Sequence, residues 1–175
     1  MDSDKNKVKK VHILTTGGTI DKSYDEIDGV LDNRESTIRK QIISRLRLPY
    51  IELEFHSVLA KDSLHMQDED RRLIVDVIKQ ISERNEGTVV LHGTDTMAQT
   101  AELAYHLLPE VSVPVIFTGA MRPIGFINSD ALQNITEAIF AAQAVKAGFY
   151  VCFHGQLFNV PHVRKNRAKA TFEAT

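Results

Sequence analysis

The chain has 175 residues, with 21 Lys+Arg against 23 Asp+Glu for a formal net charge of −2, and is 43% hydrophobic and 25% charged. That length and composition predict one soluble globular domain spanning 1–175 that buries a core without staples, and they exclude a disordered chain. The near-neutral balance argues against a nucleic-acid binder. Cys152 is the lone cysteine, so an internal disulfide is excluded and a reduced, buried thiol is expected. The seven histidines show no His-x-x-x-His spacing and have no cysteine partners, which argues against a zinc site. No apolar run approaches the roughly 20 residues that span a bilayer. The leading MDSDKNKVKK has no apolar centre. A cytoplasmic protein with no membrane segment is the expectation.

Strand and helix signals alternate along the chain. Val11–Thr15 is a short β-rich run that ends at Gly17-Gly18. Residues 21–34 are acidic and turn-rich and read as a loop or small hairpin. Thr37–Leu48 has Ile38, Ile42, Ile43 and Leu46 at helical spacing and stops before Pro49. Ile51–Val58 alternates as a half-buried strand does. Asp68–Arg84 is the strongest helix, with Leu73, Ile74, Val77, Ile78 and Ile81 expected on its buried face and acidic residues in its first turn. Thr88–Leu91 is a strand closed by His92-Gly93. Thr96–Leu108 is a helix, with Met97, Leu103 and Leu107 expected inside. Val113–Thr118 is a strand closed by Gly119. Ser129–Lys146 is an alanine-rich helix capped by Ser129 or Asn128, with Phe140 expected in the core. Phe149–Phe153 is a fifth strand, and the tail from Gln156 has no clear period. Such alternation predicts an α/β fold of three layers, a mostly parallel sheet with helices on both faces and right-handed connections.

Three of these strands end alike, in a glycine followed by small polar residues: TTGGTID, HGTDTM and TGAMRP. Ligands of open α/β sheets bind at the carboxyl ends of the strands, so these segments should share one edge. Gly17 and Gly18 offer backbone N–H groups to an anion or a polarised carbonyl, and Thr19 carries a hydroxyl that a base could turn into a nucleophile. A tight turn with Thr19 capping the backbone is the alternative. No Gly-x-Gly-x-x-Gly or Walker pattern is present. In His92-Gly93-Thr94-Asp95-Thr96, either Thr94 or Asp95 caps the next helix, or the pair presents a hydroxyl and a carboxylate at the edge. Lys165, in Val163-Arg164-Lys165-Asn166, is either a solvated charge or, if the tail folds back over the strand ends, an acid–base group. His92 reads as a packed, hydrogen-bonded histidine. Ser63, after the second strand, either caps a turn or faces the same edge.

Together, Thr16-Gly17-Gly18-Thr19-Ile20, His92-Gly93-Thr94-Asp95-Thr96-Met97, Gly119-Ala120-Met121-Arg122-Pro123 and the stretch Asp130–Ala141 resemble, in order, the bacterial-type L-asparaginases. The likeness covers nearly the whole chain. It implies the asparaginase N-terminal domain, a flavodoxin- or Rossmann-like fold. It also implies hydrolysis of L-asparagine to L-aspartate and ammonia through an acyl-enzyme, with no metal or organic cofactor. On this resemblance Thr19 is the nucleophile and Tyr24 helps remove its proton. Thr94, Asp95 and Lys165 form the second set, with Lys169 as the rival lysine. Ser63 holds the substrate α-carboxylate, Gly18 and Gly93 line the site, and Ala120 lies beside the departing amide. Typical members carry a second domain, which is expected to be absent here, and a partner subunit supplies a carboxylate for the substrate ammonium group. Leu64 and His65 replace a glutamine and an acidic residue of the family pattern. Weaker amine recognition, with Asp95 as the remaining anchor, low glutaminase activity and self-association into a dimer or larger homo-oligomer are therefore expected. The rival readings are a non-catalytic asparagine- or aspartate-binding module and an amidohydrolase for another small amide.

Overall fold

The computed structural model describes residues 8–25, 30–33 and 35–175, with side chains at 8–22 and 38–175. Its centre is a six-stranded sheet. The chain enters at β1 (Lys9–Thr15), and the parallel strands that follow are β4 (Ile51–Ser57), β5 (Gly87–Leu91), β6 (Pro114–Thr118) and β7 (Gly148–Phe153). β8 (Gln156–Asn159) closes the sheet antiparallel to β7. The spatial order is β4-β1-β5-β6-β7-β8. Counted along the chain, the parallel strands run 2-1-3-4-5, the flavodoxin-like arrangement, whose direction of winding reverses between β1 and β5.

Parallel strands covered on both faces read as continuous apolar runs. VVL of β5 and VIF of β6 have no exposed residue for this reason. On one face Leu14, Val90 and Phe117 pack with Ile74 and Ile78 of α2 (Asp68–Ser82) and Met97, Ala101 and Ala104 of α3 (Met97–Leu107). On the other, Ile13, Val89, Leu91 and Ile116 pack with Ile38 and Ile42 of α1 (Glu35–Arg45) and Ile135, Ala138 and Ile139 of α4 (Ala131–Ala144). The fold is therefore the expected three-layer α/β sandwich. Among the described residues no helix is long and apolar enough to cross a membrane.

Several local expectations change. α2 buries Arg71 and Val75 where Leu73 and Val77 were expected, and Leu73 is 44% exposed. In α3, Leu107 is 44% exposed and the inner face is Met97, Ala101 and Ala104. Phe140 is 71% exposed. α4 begins two residues late, at Ala131; Ser129 Oγ still accepts the Ala131 N–H at 3.0 Å, while the Asp130 carboxylate turns to the β6–α4 loop. Residues 22–33 contain a hairpin, β2 (Lys22–Asp25) against β3 (Val30–Asn33). The tail, which shows no period, contains β8 and a second hairpin, β9 (Val163–Asn166) against β10 (Thr171–Ala174). Cys152 is buried and unpaired, and burial pushes its thiol pKa up to about 12.

Candidate active site

The winding reversal between β1 and β5 brings three loops into backbone contact. Gly17 and Gly18 follow β1 with φ of 90° and 88°, values that L side chains rarely adopt. A methyl group added to Gly18 would lie 2.5 Å from Gly93 Cα, and one added to Gly17 would lie 2.4 Å from the Lys61 nitrogen. One added to Gly93 would meet Ser63 Oγ at 2.5 Å. The loops after β1, β4 and β5 thus stack with no room for side chains between them. Thr16 ties them further: its N–H and Oγ1 donate to the Leu91 carbonyl at 3.1 and 2.9 Å, and its carbonyl accepts from Lys61 N at 3.1 Å. Thr19 is half-buried, directly after this contact, and opens a 3-10 turn (Thr19–Asp21) for which Gly18, not a threonine side chain, stands at the cap.

Ser63 is buried at the start of a second 3-10 turn (Ser63–His65). Asp62 caps that turn by accepting from Leu64 N at 3.1 Å, and Lys22 Nζ reaches its other oxygen at 3.0 Å. The Leu64 bond, with Lys22 adding to it against a desolvation cost, holds the Asp62 carboxyl below the usual range. Leu64 and His65 are both exposed.

After β5, neither Thr94 nor Asp95 caps α3; the cap position is Thr96, and its side chain makes no capping bond. Thr94 is buried and Asp95 half-buried, and both face the tail. Lys165 Nζ donates to Thr94 Oγ1 at 2.7 Å and to Asp95 Oδ1 at 3.1 Å, and Arg167 reaches the same Asp95 oxygen at 3.1 Å. Lys165 arrives there because the β9–β10 hairpin folds back over the sheet end. Its strand partner Phe172 is buried against Phe153, with ring centroids 4.9 Å apart. The Lys165 side chain is 16% exposed, whereas Lys169 is exposed. Thr94 Oγ1 also donates to Met121 Sδ at 3.8 Å, a weak acceptor that a better one would displace. Ala120 is buried, and a methyl group added to the neighbouring Gly119 would lie 3.4 Å from Thr94 Cγ2. The side chain of Tyr24 lies outside the described residues.

A second layer escaped the sequence reading. Arg71 enters from α2 and donates to Thr100 Oγ1 at 2.7 Å and Thr96 Oγ1 at 3.1 Å; Thr96 Oγ1 donates to the Ser63 carbonyl at 2.9 Å. Thr100 Oγ1 meets His92 Nε2 at 2.9 Å, and His92 Nδ1 meets the Gly93 carbonyl at 2.8 Å. Burial pushes the His92 pKa down to about 4, so the ring is neutral, with Nδ1–H donating to Gly93 and Nε2 accepting from Thr100. The spacing 71, 74, 75, 78 on α2 was a signal for Arg71, since it is the helical period with one polar member. A third group anchors the β6–α4 loop. Asp130 accepts from Met121 N, Arg122 N and Asn134 Nδ2, and its Oδ2 lies 2.9 Å from His154 Nε2. Burial opposes its charge, but the bonds from Met121, His154 and Arg122 outweigh that and hold its carboxyl below the usual range. Asn134 closes the group by donating to the Gly119 carbonyl at 2.9 Å.

Comparison with known proteins gives the family of the domain. The family described as "Asparaginase, N-terminal" matches residues 10–174. An L-asparaginase from Thermococcus kodakarensis is 31% identical over 156 residues, which cover 89% of this chain and 47% of that protein. A subunit of a glutamyl-tRNA(Gln) amidotransferase from Methanococcus maripaludis is 32% identical over 166 residues, covering 89% of this chain and 38% of that protein. The solved thermostable L-asparaginase from Thermococcus kodakarensis superposes with a TM-score of 0.84 at 30% identity, covering 94% of this chain and 51% of that one. The chain spans about half the length, or less, of the curated relatives it matches. By its sequence match, its sheet order and the loops it stacks at the β1–β5 crossing, the chain belongs to the asparaginase family, over the N-terminal domain.

Proposed function

We propose that this domain carries the catalytic groups of an amidohydrolase that converts L-asparagine and water to L-aspartate and ammonia, with Thr19 as nucleophile. Thr19 Oγ1 bonds to the side-chain amide carbon, and the negative charge that develops on the amide oxygen is met by backbone N–H groups around Gly18 and Thr94. The C–N bond then breaks and ammonia leaves with the proton, giving an ester on Thr19. Water adds to the ester carbon, its proton returns to Thr19 Oγ1, and aspartate is released. Thr94, Asp95 and Lys165 move the protons, while Ser63, Gly93 and Ala120 shape the substrate site. Tyr24 completes the Thr19 set.

The observation that carries this reading is the Lys165–Thr94–Asp95 group, at 2.7 and 3.1 Å, held beside the Gly18–Gly93 contact where the winding reverses. A structural lysine would not need a hydroxyl and a carboxylate at a strand end that also presents a threonine after two positive-φ glycines. The test is ammonia release from high-millimolar asparagine. Removal of the nucleophile, Thr19→Ala, should abolish turnover, and Lys165→Ala should lower kcat by about 10²–10⁴ as an acid–base group does. Ligand-induced thermal stabilisation with no ammonia from the parent chain would leave a binding module, and full activity of Lys165→Ala would remove the lysine from the mechanism.

The amidotransferase relative favours a second reading, in which the same chemistry serves as one component of an amide-transferring enzyme. Asparagine turned over by the isolated chain at saturating rates supports the first reading. Turnover seen only with a companion protein supports the second.

A further inference from the structure

On the sheet face shared with Leu14, away from the strand ends, β1 and β4 bring together three side chains that lie far apart in the sequence. His12, in mid-β1, is fully buried; its strand partner is Glu54, and Leu14 is the strand partner of His56. His12 Nδ1 faces His56 Nε2 at 2.8 Å, and Glu54 Oε1 lies 3.6 Å from the same His56 nitrogen. Among the described residues this is the one group of three His, Cys, Asp or Glu side chains whose ligand atoms lie close enough to share an ion, all within 4.8 Å. On its far side, His12 Nε2 is bonded to Glu86 Oε2 at 2.5 Å, from the turn that leads into β5.

Two imidazole nitrogens facing each other share at most one proton, so at least one lone pair points into the gap. A carboxylate on the outer nitrogen is the usual means by which proteins fix the tautomer and orientation of a metal-bound histidine. With Nε2–H given to Glu86, the His12 Nδ1 lone pair is the inner one. We propose that His12 Nδ1, His56 Nε2 and Glu54 Oε1 form a zinc site, with Glu86 orienting His12. Two histidines and one carboxylate are a donor set zinc accepts, with the fourth tetrahedral position left to water. His56 is 25% exposed, so water reaches that position. Zinc–nitrogen bonds of about 2.0–2.1 Å in a tetrahedron place two nitrogens about 3.3 Å apart. The rings need only separate by about half an ångström, a small side-chain shift on an edge strand.

The surrounding charges fit a carboxylate that is held but reachable. Lys10 Nζ lies 3.3 Å from Glu54 Oε2, leaving Oε1 for the ion, and Arg84, 3.5 Å from Oε1, is mostly solvent-exposed and can withdraw. The absence of His-x-x-x-His spacing says nothing about this site, because adjacent strands assemble it rather than a helix. His12 precedes Thr15 by three residues, about 10 Å along a strand, so the ion would not touch the reacting atoms. Its work is structural: it clamps edge strand β4 to β1 and to the turn before β5. The proposal does not depend on the amidohydrolase reading.

The test uses tag-free, chelator-treated protein titrated with zinc chloride by calorimetry and followed by thermal unfolding. One zinc per chain is expected. Tm should rise by about 5–10 °C at a hundredfold excess over Kd. His56→Ala and Glu54→Gln, at part-exposed edge positions that the fold tolerates, should each weaken binding at least tenfold. Glu86→Gln, which removes no ligand, should weaken it by about 10–100-fold. Cobalt(II) in place of zinc should give the intense visible bands of a tetrahedral ion. Absence of a zinc-dependent heat and Tm shift in the parent chain overturns the proposal. So does zinc binding that His56→Ala leaves unchanged, which would place the ion on other histidines.

Discussion

Arg71 is a buried guanidinium whose bonds go to the hydroxyls of Thr96 and Thr100 and, at 3.5 Å, to the Met66 carbonyl. Through those hydroxyls it reaches the Ser63 carbonyl on one side and His92 and the Gly93 carbonyl on the other. Desolvation works against its charge and lowers its pKa; the nearby Asp68 and Asp70 charges oppose that, and each hydroxyl accepts from the cation and passes its own proton onward. Arg71→Met keeps the apolar stem and removes the donors. It should lower unfolding stability by about 2 kcal/mol, the worth of hydrogen bonds to a charged group. Because the chain of bonds ends on Ser63 and Gly93, to which the proposed function assigns the shaping of the substrate site, rather than on Thr19, KM for asparagine should rise more than kcat falls. Chemical denaturation and steady-state kinetics read the two effects. An unchanged KM with a large loss of kcat would show that the network serves the reacting groups instead.

At the scale of elements, the β9–β10 hairpin decides whether Lys165 is a surface charge or part of a site. Its strands have four residues each, and one side chain in each, Val163 and Phe172, is buried. Phe172 seats the hairpin on Phe153, directly across from Lys165. Phe172→Ala should therefore release the hairpin while leaving the sheet folded. Backbone amides of 163–174 should exchange faster with deuterium, exchange in β5 and β6 should stay as it was, and ammonia release should fall about as far as in Lys165→Ala. Protection at 163–174 equal to the parent would show that other contacts hold the tail. The same hairpin shows where the sequence stops being legible. The sheet body can be read because VHIL, VVL and VIF are apolar runs closed by glycines, and the glycine-bearing loops can be placed because strand ends share an edge. A four-residue strand with one buried side chain offers no period to read. Helix faces fail differently: α2 has two overlapping apolar stripes, and only packing decides that Val75 and Arg71 turn inward while Leu73 turns out. The Lys165 bonds depend on those tertiary choices, and so do the partners of Arg71: the 71, 74, 75, 78 spacing marks the face Arg71 can share but not the hydroxyls it bonds.

For the whole molecule, the buried neutral His92 predicts how stability varies with pH. In the folded chain its pKa lies at about 4, against an ordinary value of 6.5. Above pH 6.5 the ring is neutral in both the folded and unfolded states, and pH changes nothing through it. As pH falls below 6.5 the unfolded chain takes up a proton that the folded chain refuses until about pH 4, so stability declines across that window. The full effect is of the order of 3 kcal/mol at and below the lower end. His56, whose pKa is also lowered, first by burial and then by His12, acts in the same direction. The carboxylates held below their usual range, among them Asp62, Asp70 and Asp130, lose their contribution only as pH falls through lower values, so they add slope at the acid end of the window and beyond. The His92 share is therefore isolated by comparison. Urea unfolding of the parent chain from pH 8 to pH 4.5 should show a plateau above 6.5 and a decline below it. His92→Gln, which keeps a donor and an acceptor but cannot titrate, should be less stable at pH 8 yet decline more gently. A proton resonance of the His92 ring that does not move between pH 7.5 and 5 would agree. Parallel curves for the two chains would show that His92 titrates alike folded and unfolded, and that the acid sensitivity of the protein originates elsewhere.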